Sequence, residues 1–231
     1  MTTPRQPPVT RIDAAGALLD ADVAVPQEAR GLVVFVHGSG SSRLSPRNRL
    51  VAERLGGVGF ATVLTDLLTP GEDADAAARF DIGLLTRRVV AVVDRVTGEP
   101  ALCGLPLGLF GASTGAAAAL RAAAQRPGQV RTVVSRGGRP DLAGDALERV
   151  TVPVLLIVGG LDHEVRALNE AAAGRLAGEH ATWIVPGATH LFAEPGTLEE
   201  VAGAAAQWFD RCLAHGDLAL DEYLREDDGD A

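Results

Sequence analysis

The stretch GLFGASTGAAAAL, residues 108–120, decides how this chain is read. Leu107 to Phe110 is short and apolar, the pattern of a buried strand. From Ala116 onward the run is Ala-rich, the pattern of a helix. Between them stands Gly111-Ala112-Ser113-Thr114-Gly115, a G-x-S-x-G turn in the strand-to-helix setting that holds a nucleophile. So tight a turn puts Ser113 in strained backbone geometry, and larger flanking residues would collide with neighbouring segments. The Ser113 hydroxyl then projects above the sheet. The Thr114 N–H points the same way, at a helix N-terminus that favours negative charge. A Gly-rich turn without chemistry is the plain alternative for the motif alone.

On either side, short apolar runs alternate with helix-like stretches. The strand-like runs are Leu32–Val36, Phe60–Leu64, Val130–Val134, Val154–Val158 and Ala181–Val185. Helices are expected from Pro46 to about Leu55, Asp73 to about Val96, Glu164 to Leu176 and Thr197 to Leu213. Repeated βαβ units of this kind build a mostly parallel sheet with helices on both faces. Val9 to Val25 is expected to add one or two antiparallel edge strands. The connection RGGRPDLAGDALERV, residues 136–150, is too short for a lid domain. Residues 1–216 are expected to form one α/β domain, and residues 217–231 an acidic tail.

Two downstream segments complete a constellation. One strand ends in Gly159-Gly160-Leu161-Asp162, and the next is followed by Pro186-Gly187-Ala188-Thr189-His190. The chain order Ser…Asp…His, each residue just past a strand's carboxyl end, is that of α/β-hydrolases. That edge is where open α/β sheets bind ligands. A serine needs a base, and the base needs a carboxylate to fix its tautomer and stabilise the imidazolium. Ser113, His190 and Asp162 are the candidates for those roles, with Asp141 the substitute acid. Upstream, His37-Gly38-Ser39-Gly40 follows the first central strand. Its expected contribution is a second oxyanion donor beside the Thr114 N–H: the Ser39 N–H, with Gly40 as the near alternative. His37 is expected to brace the loop.

With these residues in view, the chain resembles an α/β-hydrolase of the dienelactone hydrolase-like branch, over roughly Gly31 to Leu213. The resemblance rests on VVFVHGSGSS at 33–42, GLFGASTGAA at 108–117, LLIVGGLD at 155–162 and VPGATHLF at 185–192. It implies a capless α/β-hydrolase fold and acyl-hydrolase chemistry. The elbow departs from dienelactone hydrolases proper, which carry a cysteine nucleophile where this chain has Ser113. The substrate is therefore expected to be a small ester, lactone or thioester, not dienelactone by default. The chain also resembles hydrolase domains that some bacteria fuse to a phosphoribosyltransferase-like domain.

Arginine supplies a finer expectation. The Gly38–Arg49 loop carries Arg43, Arg47 and Arg49, and the segment after Val134 carries Arg136 and Arg139. A guanidinium fork matches carboxylates and phosphates. Gly38, Gly40, Arg43, Arg136 and Arg139 are accordingly assigned to substrate binding, with an anionic substrate group as the motive. The competing expectation is that these arginines brace acids such as Asp141.

Charge and composition exclude several classes. All 21 basic residues are Arg, so lysine Schiff-base chemistry is impossible, as is a P-loop lysine. Net charge is −9, and the tail from Asp217 carries seven of the acids and one Arg. Nucleic-acid binding usually needs a basic surplus. No run approaches the roughly 18 apolar residues of a membrane span. The amino-terminal residues read as lacking a signal peptide, and the two cysteines, Cys103 and Cys212, suggest no disulfide framework or metal spacing. Both are expected to be buried, with Trp183 and Trp208 in the core. The expected protein is cytoplasmic, a monomer or homodimer, with no cofactor or metal and a small-molecule partner. Rival readings are a nucleotide-binding protein using Gly38-Ser39-Gly40 and Asp66, a non-hydrolytic scaffold, and the same triad serving acyl transfer or perhydrolysis.

Overall fold

Leu32–Val36 and Leu107–Phe110 have no polar residue to present to water, so both faces of their strands must be covered. The computed structural model, which describes residues 9–214, shows how. Eight strands form one sheet: β1 (Val9–Ala14), β2 (Ala17–Ala24), β3 (Gly31–Val36), β4 (Phe60–Thr65), β5 (Leu107–Ala112), β6 (Val130–Arg136), β7 (Val154–Gly159) and β8 (His180–Val185). Their spatial order is β1-β2-β4-β3-β5-β6-β7-β8. β2 runs antiparallel to β1 and to β4, and every pairing from β4 through β8 is parallel. Every residue of β3, β4, β5 and β7 is buried.

The helices are α1 (Pro46–Gly57), α2 (Pro70–Asp73), α3 (Ala76–Phe80), α4 (Ile82–Thr97), α5 (Thr114–Gln125), α6 (His163–Ala173) and α7 (Thr197–Phe209). One face of the sheet packs against α4, α5 and a 3-10 segment, Pro140–Arg149. The alanines of α5, Ala116 to Ala119 and Ala122, are fully buried there. Small side chains let that helix lie close to the strands. The other face packs against α1 and α7 through Phe35, Phe60, Phe110, Trp208 and Phe209. Each such side chain contributes about 1.5–3 kcal/mol on burial. Trp208 donates to Thr132 Oγ1 at 2.8 Å, and that hydroxyl donates to Pro153 O at 2.8 Å, so the buried polar atoms are satisfied.

The helix expected over 73–96 is three helices. Asp75 caps α3 by accepting from Ala77 N at 2.9 Å, and Asp81 caps α4 by accepting from Leu84 N at 2.9 Å. Short acidic side chains compete for backbone donors and start new helices where the apolar pattern alone reads on. Among the described residues there is no lid domain: the 140–149 segment packs on α5 and α6. The acidic stretch from Asp217, and His215, lie outside the described residues. Among the described residues no helix is long and apolar enough to cross a membrane.

Candidate active site

Ser113 lies between the last residue of β5 and the first of α5, with φ 49° and ψ −125°. A non-glycine residue in that region is strained by about 1–3 kcal/mol and must be held there. The surroundings hold it. Ser113 N donates to Arg136 O at 3.3 Å, and Ser113 O accepts from Ala116 N and Arg139 N, both at 3.1 Å. Gly115 faces the carbonyl oxygens of Val36 and His37, where any Cβ would overlap them. A Cβ on Gly38 would stand 2.9 Å from Ser113 Cβ. Both glycines thus let the Ser113 turn and the loop after β3 approach each other.

Two further loops bring an acid and a base to the same edge. Leu161 N donates to Ala188 O at 2.9 Å, and Gly160 N to Val185 O at 2.8 Å, clasping the turns after β7 and β8 together. His190 Nδ1 lies 2.7 Å from Asp162 Oδ2. Asp162 is mostly buried, at 14% side-chain exposure, while His190 is 39% exposed. With Nδ1–H directed at the carboxylate, the other ring nitrogen is left as an acceptor. The His190 turn is fastened by Glu194, whose carboxylate accepts from Thr189 Oγ1 at 2.6 Å and Thr189 N at 3.1 Å. Those bonds, the Thr189 hydroxyl foremost, hold the Glu194 carboxyl below its usual range. His190 Cε1 also lies 3.7 Å from where a Cβ on Gly137 would be, beside the end of β6.

The loop after β3 is braced from within. Buried His37 places Nδ1 2.9 Å from Gly38 O, and its Nε2 accepts from Leu67 N at 3.0 Å. Burial pushes its pKa down, favouring the neutral ring that this bonding needs. Ser39 N–H, the expected oxyanion donor, donates to Thr114 Oγ1 at 2.9 Å. Gly40 has φ 67°. Beside this loop lies a shallow recess lined by Gly38, Ser39, Gly40, Leu68, Arg79 and Leu85 among others.

Two of the three arginines assigned to substrate binding are otherwise engaged. Arg43 bonds both carboxylate oxygens of Asp66 at 2.8 Å, through its N–H and Nη1, and lies 3.4 Å from Asp22 and 3.6 Å from Asp20. Arg139 grips Asp141 bidentately at 2.8 Å. Their forks are filled by this protein's own acids, the arrangement of the competing, bracing expectation. Arg136 differs. It is 8% exposed, it stacks 6.0 Å from the Phe192 ring centroid, and its Nε and Nη1 have no hydrogen-bond partner. Arg47 and Arg79 also keep a buried, unpartnered Nε. Neither had been assigned to the site, because an arginine on a short polar stretch looks the same in sequence whether or not an acid lies across from it.

Cys103 is exposed, contrary to expectation. It sits in the turn after α4, where Leu102 is the residue that packs inward. Cys212 is partly buried, and its desolvation raises the thiol pKa. Trp208 is core, whereas Trp183 is half-buried and donates to Glu200 at 2.9 Å. Among the described residues no three His, Cys, Asp or Glu side chains group to hold a metal ion.

Comparison with known proteins adds four findings. The model of the dienelactone hydrolase family matches residues 19–215. The crystal structure of a dienelactone hydrolase from Anabaena variabilis superimposes with a TM-score of 0.87 at 49% identity, over 90% of this chain and all of that one. Est1E from Butyrivibrio proteoclasticus shares the fold, with a TM-score of 0.74 at 18% identity, over 87% of this chain and 97% of that one. Proteins of two Mycobacterium tuberculosis strains, each named putative phosphoribosyl transferase, are 58% identical over 187 residues. That match takes in 81% of this chain but 42% of theirs.

Proposed function

The chain belongs to the dienelactone hydrolase family, and on that footing we propose that it cleaves small esters, lactones or thioesters through a Ser113–His190–Asp162 triad. The observation that carries the reading is the 2.7 Å contact between His190 Nδ1 and Asp162, on the sheet edge that holds strained Ser113. In this reading the Ser113 Oγ attacks the acyl carbon while its proton passes to His190. The tetrahedral oxyanion is met by the N–H groups of Thr114 and Ser39. Collapse breaks the bond to the leaving alcohol or thiol, which takes the proton from His190. Water, deprotonated by the same ring, then attacks the acyl-enzyme; the acyl–Oγ bond breaks, Ser113 Oγ takes the proton from His190, and the carboxylic acid leaves. Asp162 stays ionised and stabilises the imidazolium at each stage.

The transferase name belongs to proteins more than twice the length of the matched stretch, and the site here supports a different chemistry. The nucleotide-binding reading needs Asp66 for a ribose, and Arg43 holds both of its oxygens. The open, lidless edge favours small acyl groups, since long chains need a large apolar cleft. The test is a series of p-nitrophenyl esters of increasing acyl length, run on the wild type and on Ser113→Ala. Hydrolysis that declines with acyl length and falls by several orders of magnitude in the variant supports the reading. A fluorophosphonate adduct mapped to any other residue sinks it.

A further inference from the structure

α6 turns a narrow stripe inward: Val165, Asn169 and Ala172 are its buried residues, and Asn169 is fully buried. A buried amide is taken out of water, and a fold carries one where its hydrogen bonds hold something. Asn169 Nδ2 donates to Val165 O at 2.7 Å, one turn back in its own helix. It also donates to Gly138 O at 3.0 Å, in the loop after β6. Both neighbours are carbonyl oxygens, so the NH₂ end must face them. Among the described residues Oδ1 has no partner, and the amide serves through its donors alone.

The Gly138 C=O and the Arg139 N–H are the two ends of one planar peptide. Arg139 N donates to Ser113 O at 3.1 Å, so the peptide that Asn169 holds by its oxygen holds Ser113 by its nitrogen. At the start of the same loop, Arg136 O accepts from Ser113 N at 3.3 Å. The 136–139 loop thus grips Ser113 on both sides of its Cα, at φ 49° and ψ −125°. Such a conformation persists only where the surroundings impose it. The loop in turn needs anchors. Gly137 N donates to Ile157 O of β7 at 2.8 Å, and Gly138 is pressed so close to β6 that a Cβ there would overlap Ser135 Oγ. Asn169 anchors the Gly138 carbonyl. Asp162 is the N-cap of α6, about two turns before Asn169, so one helix carries both Asp162 and the anchor of the Ser113 loop.

We propose that Asn169 is a positioning residue for acyl transfer, which acts through the 138–139 peptide to keep Ser113 in its strained conformation and in register with the helix of Asp162. The inference rests on the acyl-hydrolase reading for the chemistry of Ser113, and on the bonds of Asn169, Arg139 and Ser113 for the anchoring itself. A carbonyl that accepts a hydrogen bond polarises the N–H of its own peptide. Loss of the Asn169 donor therefore weakens the hold on Ser113 O, lets the turn relax and moves Oγ relative to His190.

Asn169→Leu keeps the volume and removes the donor. Its kcat on p-nitrophenyl butyrate should fall about ten- to a hundredfold with KM within about threefold of the wild type, since a misplacement of about 1 Å costs on the order of a hundredfold. The rate of fluorophosphonate labelling at Ser113 should fall alongside. Asn169→Asp adds a pH signature. Burial raises the pKa of such a carboxyl, and only its protonated form can donate to Gly138 O. Its rate relative to the wild type should therefore climb as pH falls from about 8 to about 5.5. Val165→Ala, on the same stripe of α6, is the packing control and should leave kcat near the wild-type value. Wild-type kcat in Asn169→Leu overturns the proposal, and so does an equal loss in Val165→Ala, which lays the effect on helix packing. Should Asn169→Leu fail to fold, the Asn169→Asp ratio decides, and a ratio that does not climb overturns the proposal. Hydrogen exchange at the Arg139 amide reads the anchoring without turnover. Faster exchange in Asn169→Leu than in Val165→Ala supports the proposal, and equal exchange in the two overturns it. That comparison holds even if the wild type neither cleaves esters nor takes a label at Ser113, a result that overturns the acyl-hydrolase reading alone.

Discussion

Ser39 N–H donates to Thr114 Oγ1 across 75 residues of sequence, at 2.9 Å. The bond joins the loop after β3 to the first residue of α5, and so fixes the spacing of the two backbone donors. Thr114→Val removes the acceptor and keeps the shape. It should lower stability by about 1–3 kcal/mol, the cost of an unsatisfied donor, as read by urea denaturation. Ester turnover should stay within about tenfold, because both proposed oxyanion donors are backbone groups. A drop of about 10²–10³ in kcat with stability intact would show instead that the hydroxyl itself meets the oxyanion.

The approach of Gly115 to Val36 O and His37 O leaves no room for a methyl group. Both obstacles are backbone atoms of a buried strand and its loop, which cannot swing aside. Gly115→Ala should therefore destabilise the protein by about 3 kcal/mol or more, at the upper end of overpacking effects. Gly203→Ala, on α7 with open space around the position, is the comparison and should be neutral or stabilising by urea midpoint.

Much of this site could be read from the chain because strand, turn and helix each leave a local mark. Ser113, Asp162 and His190 each follow a short apolar run that ends at one edge of a parallel sheet. Their placement follows from topology without any knowledge of side-chain packing. The arginines carry no such mark. Arg43 is neutralised by Asp20, Asp22 and Asp66, which come from β2 and from the residue after β4. Only the antiparallel pairing of β2 with β4 brings those acids together. Likewise Asp75 and Asp81 end one helix and begin another through single side-chain bonds, against an apolar periodicity that runs on. Cys103 fails for a related reason: the turn that carries it points Leu102 inward, and a composition argument cannot tell which of two neighbours faces the core.

His37 should make the fold acid-sensitive. Its pKa is lowered in the folded state, chiefly by burial, so between that value and about 6.5 the unfolded chain binds more protons. Stability from this residue is fully present above pH 6.5 or so and is lost as pH falls through that window. Guanidinium denaturation between pH 7.5 and 5 should show the decline. His37→Asn should be less stable at pH 7.5 and should show a flatter decline. An identical pH slope in the two proteins would remove His37 as the cause.

Asp162→Asn should keep the fold and lose most of the esterase rate. The amide can present its NH₂ to His190 Nδ1, which favours the tautomer with Nε2–H and leaves no acceptor facing Ser113. The loss should be on the order of 10⁴ in kcat if Asp162 is the orienting acid. An unchanged rate in Asp162→Asn would move the role to another acid, and Asp141 is poorly placed to take it while Arg139 holds both its oxygens.

Arg43 and Arg136 should respond in opposite directions to the same substitution. Arg43→Met leaves the Asp66 carboxylate only the backbone N–H of residue 43, while Asp22, itself 5% exposed, keeps Arg49. Breaking a buried pair from one side costs about 3–5 kcal/mol, so the melting temperature should fall sharply. Arg136→Met removes a buried cation that no acid among the described residues pairs with, and fills its space with an unbranched apolar chain beside Phe192. Replacements of buried ions by apolar residues stabilise by about 1–4 kcal/mol in favourable cases, so here the melting temperature should rise. If Arg136→Met instead melts below the wild type, the guanidinium is part of the packing against Phe192, and its stability role is structural.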